Sequence, residues 1–349
     1  MAESQKRRIL ITGVSRFLGL RLAKRLENDP SIEALVGVDL EEPRVPIRGL
    51  EFVRADIRNP MIARVLEATK VDTLVHTNIG SSPGVLGGRS QMKENNVIGT
   101  MQLLAAAQRA DRIKKVIVKS STAVYGSRAG EPSVIPEDYA SREVDLGGYG
   151  KDCAEAEQYA RDFGRRRSDV DLVILRTQNV IGPTVSTSMT RYFSLPVVPT
   201  ALGFDPRLQF LHEEDAVEAL YLSVMGEATG IFNIASEGVV YLSQALRVLG
   251  KPFVPMLLPA AQTTASLLRQ FNLIDFPTDQ LKLILLGRVV STLRAQERLG
   301  YTPRYTSLGA LKDFKDLYTG DQAPEPSAHP TWERELFEYL KQRSDREKV

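Results

Sequence analysis

Two side chains in this 349-residue chain have the types and spacing to move a proton, the hydroxyl of Ser121 and the phenol of Tyr149. Ser121 stands four residues before Tyr125 in Ser121-Thr122-Ala123-Val124-Tyr125-Gly126, and Tyr149 opens a helical stretch. A hydroxyl at a strand end can hydrogen-bond a substrate oxygen that gains or loses charge, and a phenol can act as general acid or base. An unperturbed phenol titrates near pH ~10, so about one molecule in a thousand is ionised at neutral pH. A cation about 4 Å away would contribute roughly 4 kcal/mol at an effective dielectric of ~20, or about three pK units. One helical turn beyond Tyr149 stands Cys153. A neutral thiol supplies no such charge, and a thiolate would push the phenol the wrong way. Lys151 is turned by about 200° onto the far helix face. Tyr139 and Tyr159 have Glu143 and Phe163 four residues on, so neither replaces the pair. By strand position, Lys119 and Arg176 are the nearest alternative cations. Cys153 itself reads as a small buried helix residue.

A second constellation opens the chain: Thr12-Gly13-Val14-Ser15-Arg16-Phe17-Leu18-Gly19. A strand feeding a helix through a glycine turn directs backbone N–H groups and the helix's positive end at a pyrophosphate. No glycine stands between Gly13 and Gly19, so close backbone approach is altered there. Arg16 either supplies a cation to the phosphates or fills the cleft. Asp39 ends the second apolar run about twenty residues later, where an acid binds ribose hydroxyls and repels a 2′-phosphate. That favours NAD over NADP. The plainer role for Asp39 and for Asp56 is to cap strand-to-helix turns.

These groups need a scaffold that holds strand ends together. Apolar runs at 8–12, 34–40, 51–57, 73–76, 115–120 and 172–176 alternate with helical patterns at 18–28, 61–69, 94–109 and 151–167. Near-continuous apolar strands between helices indicate a parallel sheet covered on both faces. Right-handed crossovers then give an α/β, Rossmann-type doubly wound sheet. After Arg176 the rhythm breaks, becoming regular again over 209–225 and giving another strand over 230–236. The expected organisation is a dinucleotide-binding domain over 1–178 and about 209–238. A small interleaved C-terminal substrate lobe covers about 179–208 and 239–316. A charged tail follows at 317–349, with a short helix over 332–341.

The order of these motifs resembles the extended short-chain dehydrogenase/reductase family, the NAD-dependent epimerases and dehydratases of nucleotide sugars typified by UDP-glucose 4-epimerase. The match spans about 8–316. It is closed by Arg176-Thr177-Gln178-Asn179-Val180-Ile181-Gly182-Pro183, Leu211-His212-Glu213-Glu214-Asp215-Ala216-Val217, Phe232-Asn233-Ile234-Ala235 and Leu299-Gly300-Tyr301-Thr302-Pro303. The resemblance implies that Ser121 and Tyr149 are catalytic, and that a lysine is missing at Cys153. It implies a cofactor, NAD, held by Gly13, Ser15, Arg16, Phe17, Leu18 and Gly19 at the turn. Asp39, Asp56, Ile57, His76, Asn96 and Tyr149 would complete that site. A nucleotide sugar would be held by Asn179 and by the arginines Arg191, Arg207 and Arg288, whose plainer role is surface charge. Asp215 would cap the helix that follows it. A homodimer is implied through the helices at 94–109 and 149–167, with Met101, Leu104, Ala105 and Gln108 in the contact. Two functions stay open: an epimerase, dehydratase or oxidoreductase with altered catalysis, and a non-catalytic nucleotide-binding regulatory or scaffold protein.

Composition excludes several other classes. A net charge of +2, from 45 basic and 43 acidic residues, argues against a dedicated nucleic-acid binder. Arg165-Arg166-Arg167 closes a predicted helix, where contact with the helix's negative end accounts for it. A single cysteine rules out an internal disulfide and fits a reducing compartment. Residues 252–268 carry no charge, but three prolines and a polar middle argue against a membrane span. No metal site is expected, and the expected location is the cytoplasm.

Overall fold

The computed structural model describes residues 6–81, 88–126, 132–139, 148–256 and 286–318. Its centre is a seven-stranded, all-parallel sheet. The strands are β1 Arg7–Thr12, β2 Ile32–Asp39, β3 Leu50–Arg54, β4 Thr73–His76, β5 Lys115–Ser121, β6 Asp171–Thr177 and β11 Gly230–Ile234. They lie in the order β3-β2-β1-β4-β5-β6-β11. The order reverses between β1 and β4, the switch point at whose carboxyl ends sheets of this kind bind ligands. Thr12, Asp39, His76, Ser121 and Thr177 end their strands along that one edge. The expected doubly wound sheet is therefore what forms.

Apolar residues fill both faces, as the unbroken strand runs require. Leu10, Val36, Leu74, Val116 and Val118 pack with helices α2 Ile62–Thr69, α4 Thr100–Arg109 and α5 Gly148–Arg166. Ile9, Ile11, Val75, Ile117, Val173 and Leu175 pack with α1 Phe17–Leu26 and α7 Glu213–Met225. The short helix α3 Arg89–Lys93 runs through a π-helical turn, Glu94–Gly99, into α4. Helix α5 buries Tyr149, Cys153, Ala156, Ala160 and Phe163 at helical spacing, so its first turn carries Tyr149 onto the sheet. Lys151 is exposed on the other side.

Between β6 and α7 the chain forms β7 Asn179–Ile181, α6 Ser188–Ser194, β8 Val198–Ala201, β9 Arg207–Leu208 and β10 Phe210–His212. After β11 come β12 Val240–Tyr241, α8 Leu242–Leu249, β13 Phe253–Met256 and α9 Ser307–Tyr318. Segments from both stretches share a separate core around Tyr192, Phe193, Phe210, Leu246 and Leu311.

Three expectations are corrected. Asp215 does not cap α7. His212 does so through its ring, while Asp215 accepts the N–H groups of Arg304 and Tyr305 at 2.9 and 3.1 Å, tying down the closing loop. Arg167 serves α4 rather than its own helix. Its guanidinium reaches the carbonyls of Ala107, Gln108 and Ala110 at 3.2–3.4 Å, the natural partners of a cation at a helix C-terminus. Leu104 belongs to the core, so it cannot face a second copy. The tail beyond 318, including the helix expected over 332–341, lies outside the described residues.

Candidate active site

Ser121 is the last residue of β5 and turns the chain into a 3₁₀ turn, Thr122–Tyr125, whose Ala123 N–H it accepts at 3.2 Å. That local bond fixes the hydroxyl at the strand's carboxyl end, facing the first turn of α5. There the phenol of Tyr149 accepts from Ser121 and donates to the sulfur of Cys153. The chemistry-bearing pair of the sequence is thus assembled, although twenty-eight positions separate its members (Tyr149 minus Ser121). Burial raises the Tyr149 phenol well above its ordinary range, and Cys153 adds to the rise. Burial also pushes the Cys153 thiol up to about 12, so it is neutral. The pair is well placed and, taken alone, poorly ionised.

A buried polar frame holds this turn. Arg176 on β6 clasps Glu157 of α5 through contacts of 2.7–3.1 Å and also donates to the Tyr125 hydroxyl at 2.8 Å. Ser120 donates to the same carboxylate at 2.6 Å, and Tyr125 donates to Asn233 at 2.7 Å. Arg176 is therefore committed to structure and is not the alternative cation. Asp152, neighbour of Cys153, is paired with both terminal nitrogens of Arg89 at 2.8 and 2.9 Å. Glu157 and Asp152 carry no motif of their own, and sequence reasoning missed them; their one signal is polarity on the apolar face of the α5 pattern. Gln178 stood inside a quoted motif with no role read for it.

The glycine turn is built as expected at its ends and differently in its middle. Gly13 has φ +77°, and a Cβ on Gly19 would lie 2.2 Å from the Gly13 carbonyl. Both positions need glycine for the strand and helix to approach. Arg16 occupies the N-cap of α1 with extended backbone and makes no side-chain cap bond. Its side chain runs toward Asp39 and Glu41, and its buried Nε has no hydrogen-bond partner. Burial lowers its pKa. Asp39 accepts from the N–H groups of Ser15 and Leu40 at 3.1 and 2.8 Å, binding the end of β2 to the turn. An uncapped helix N-terminus beside a guanidinium with an unspent donor fits a dinucleotide's phosphates, because both would gain partners there. Phe17 and Leu18 form the first turn of α1 and pack into the core.

The remaining expected cofactor residues divide. His76 is fully buried between the hydroxyls of Thr12 and Thr100 at 2.7 and 2.9 Å, and burial holds its pKa down to about 3. It is a neutral bridge between strands and helix. Asn96 clamps both backbone groups of Gly80 at 2.9 Å, shaping the loop after β4. Ile57 is buried against Gly99, where an added Cβ would come within 2.7 Å of it. Asp56 is held by Arg58 at 2.6 Å, beside a groove that Asn59, Pro60, Glu94 and Ile98 also line.

Among the expected substrate residues, Asn179 begins β7 and Arg191 is half-buried on α6. Arg207 and Arg288 come together, because Leu208 bridges Arg288 and a Cβ on Gly287 would meet the Arg207 carbonyl at 2.3 Å. Arg288 is buried and donates to the carbonyl of Gly126 at 2.7 Å, directly beyond the Ser121–Tyr125 turn. Gln178 completes the link, accepting from Thr122 and donating to the Arg288 carbonyl.

Among the described residues, no cluster of metal-binding side chains occurs and no helix is long and apolar enough to cross a membrane. The chain is 41% identical over 310 residues to an uncharacterized protein of Mycobacterium tuberculosis, covering 88% of this chain and 82% of that one. The fold is similar to UDP-glucose 4-epimerase of Thermotoga maritima, solved with UDP-glucose, at a TM-score of 0.69 and 19% identity. The alignment covers 89% of this chain and 98% of that one. It is equally similar to MoeE5, solved with UDP-glucuronic acid and NAD, at a TM-score of 0.69 and 21% identity over the same shares. A model of the NAD dependent epimerase/dehydratase family matches residues 9–235, from β1 to the end of β11. The chain belongs to the NAD-dependent epimerase/dehydratase family.

Proposed function

We propose that the protein is an NAD-dependent enzyme that epimerises, dehydrates or oxidises a nucleotide sugar, with Ser121 and Tyr149 handling the substrate's proton. The observation that carries this reading is the hydrogen-bonded Ser121–Tyr149 pair at the end of β5, on the same sheet edge as the glycine turn after β1. Ser121 orients a sugar hydroxyl, and Tyr149 holds its proton as charge develops on that oxygen. NAD, when bound, supplies reversible hydride acceptance. Arg16 and the N-terminus of α1 bind its phosphates, Asp39 faces its adenosine ribose, and Asp56, Ile57 and Asn96 shape the adenine and loop walls. Asn179, Arg191, Arg207 and Arg288 bind the nucleotide diphosphate. The relatives named above support the substrate class, since two were solved with UDP-sugars. A cytoplasmic homodimer, paired through exposed positions of α4 and α5, completes the reading.

The test is a panel of nucleotide sugars incubated with the enzyme and NAD, following nicotinamide absorbance and sugar products. Turnover that disappears in Tyr149→Phe supports the assignment. A second reading, a non-catalytic nucleotide-binding protein, is favoured by the strongly raised phenol pKa of Tyr149. Calorimetric binding of NAD and a nucleotide sugar without product from any of the panel would select it.

A further inference from the structure

Lys119 sits on β5 two residues before Ser121, and alternation along a strand puts both on the same side. Its Nζ donates to the carbonyl of Ile79, just past β4, at 3.3 Å. That carbonyl is its one hydrogen-bond partner among the described residues, and no carboxylate there pairs with it. The neighbouring cations are spent: Arg176 on Glu157 and Arg89 on Asp152. Lys119 therefore brings to the edge where Ser121 and Tyr149 meet an amine that no carboxylate among the described residues balances. Its field reaches the sulfur of Cys153, which accepts from the Tyr149 phenol. It also reaches His76.

We propose that Lys119, carried on β5 rather than on α5, supplies the positive charge of this site, opposing negative charge on the hydrogen-bonded Tyr149–Cys153 pair. It acts on Tyr149 through Cys153 and is a positioning residue. A desolvated ammonium bound to a neutral carbonyl is costly unless a negative charge forms beside it. A phenol losing its proton, or a substrate oxygen gaining charge, offers that negative charge. The titratable groups its field reaches are Cys153 from α5 and His76 from β4; Tyr149 is bonded to that cysteine, and Ser121 lies two residues on along its own strand. Asp152 is already balanced by Arg89. Burial lowers the pKa of Lys119, so its charge is present at lower pH and fades as pH rises toward and through the ordinary lysine range. This inference rests on the proposed function and on the nicotinamide end of NAD binding beside Ser121 and Tyr149. The same field then opposes the positively charged oxidised ring and leaves the neutral reduced ring alone.

The experiment uses the full chain in three forms, wild type, Lys119→Met and Lys119→Arg. Calorimetric affinities for oxidised and reduced NAD are measured at about pH 7 and about pH 10. The wild type is expected to prefer the reduced form by about tenfold or more at the lower pH, with the preference shrinking at the higher. Lys119→Met loses the preference and retains its thermal midpoint, since relief of the buried amine's desolvation offsets the lost bond to the Ile79 carbonyl. Lys119→Arg keeps the preference at both pH values. With a sugar that turns over, the alkaline shift of the pH–rate profile in Lys119→Met is about one to three units, reversed in Lys119→Arg. An affinity ratio unchanged between wild type and Lys119→Met overturns the proposal, whether or not any sugar is turned over. Failure of the whole sugar panel with that ratio shift present would instead remove the enzymatic reading and leave Lys119 as the site's cation. Binding of neither cofactor form would sink both.

Discussion

Placing a lysine at position 153 separates a site that lost its cation from one that moved it. Cys153 is fully buried one helical turn from Tyr149. A lysine stem there costs about 1–3 kcal/mol in overpacking, which a protein of this size tolerates. Its ammonium about 4 Å from the phenol would stabilise a phenolate by roughly 4 kcal/mol at an effective dielectric of ~20, or about three pK units. The pocket, however, already holds Lys119, whose field reaches the sulfur being replaced. Two ammonium groups about 5 Å apart repel by roughly 3 kcal/mol at the same dielectric. Two interacting amines in a desolvating pocket share about one charge near neutral pH. Cys153→Lys alone should therefore raise turnover by less than about tenfold. In a Lys119→Met background the same substitution should recover about a hundredfold or more over Lys119→Met alone, because the charge is then supplied once. The assay is the initial rate of product formation from whichever nucleotide sugar the wild type accepts, with thermal midpoints recorded for each variant. A gain of a hundredfold or more from Cys153→Lys in the wild-type background would refute the reasoning, because Lys119 would then be contributing nothing to Tyr149.

Other perturbations test the remaining links. Arg16→Ala should weaken NAD binding about tenfold or more and flatten its salt dependence, as loss of a charge-assisted phosphate contact requires. A calorimetric gain in affinity would mean that the guanidinium obstructs the cleft. His76 is neutral in the fold with its pKa held down to about 3 by burial, while the unfolded chain protonates it near ~6.5. Between those values the unfolded state binds the extra proton, so stability should fall as pH drops from about 6.5 toward 3. Denaturant titrations should show this slope in wild type and its loss in His76→Asn; identical slopes would discard the buried-neutral assignment. Glu157→Gln strands the buried Arg176 guanidinium and should cost about 3–5 kcal/mol in the same titrations. A change within about 1 kcal/mol would mean that Tyr125 and the Glu137 carbonyl, which accepts from Arg176 at 3.0 Å, suffice to hold it.

The parallel sheet was legible in the chain because buried strands must be apolar through their centres, as Ile9–Ile11, Leu74–Val75 and Val116–Val118 are. Ser121, Tyr149, Gly13 and Gly19 were legible because the order of motifs around them resembles the family's, and each suits its place: a hydroxyl at a strand end, a phenol on a first helical turn, and backbone that admits no Cβ. The roles of single polar residues were not. Asp215 was read as a cap from its place before a helix, yet it binds Arg304 and Tyr305, ninety positions along. Arg167 likewise serves a neighbouring helix. Hydrogen-bond partners that lie far apart in sequence leave no spacing to read.

From its residues alone the chain settles an alternation of apolar strands and helices, and the absence of a cation one turn after Tyr149. Those are properties of neighbours along the backbone, governed by periodicity. Which cation faces the phenol pair was a tertiary decision. Lys119 and Arg176 were equal candidates along their strands, until packing gave Arg176 a buried carboxylate and left Lys119, among the described residues, with a single carbonyl. Coulomb interactions act through space, so the charge that counts is set by which strands lie side by side.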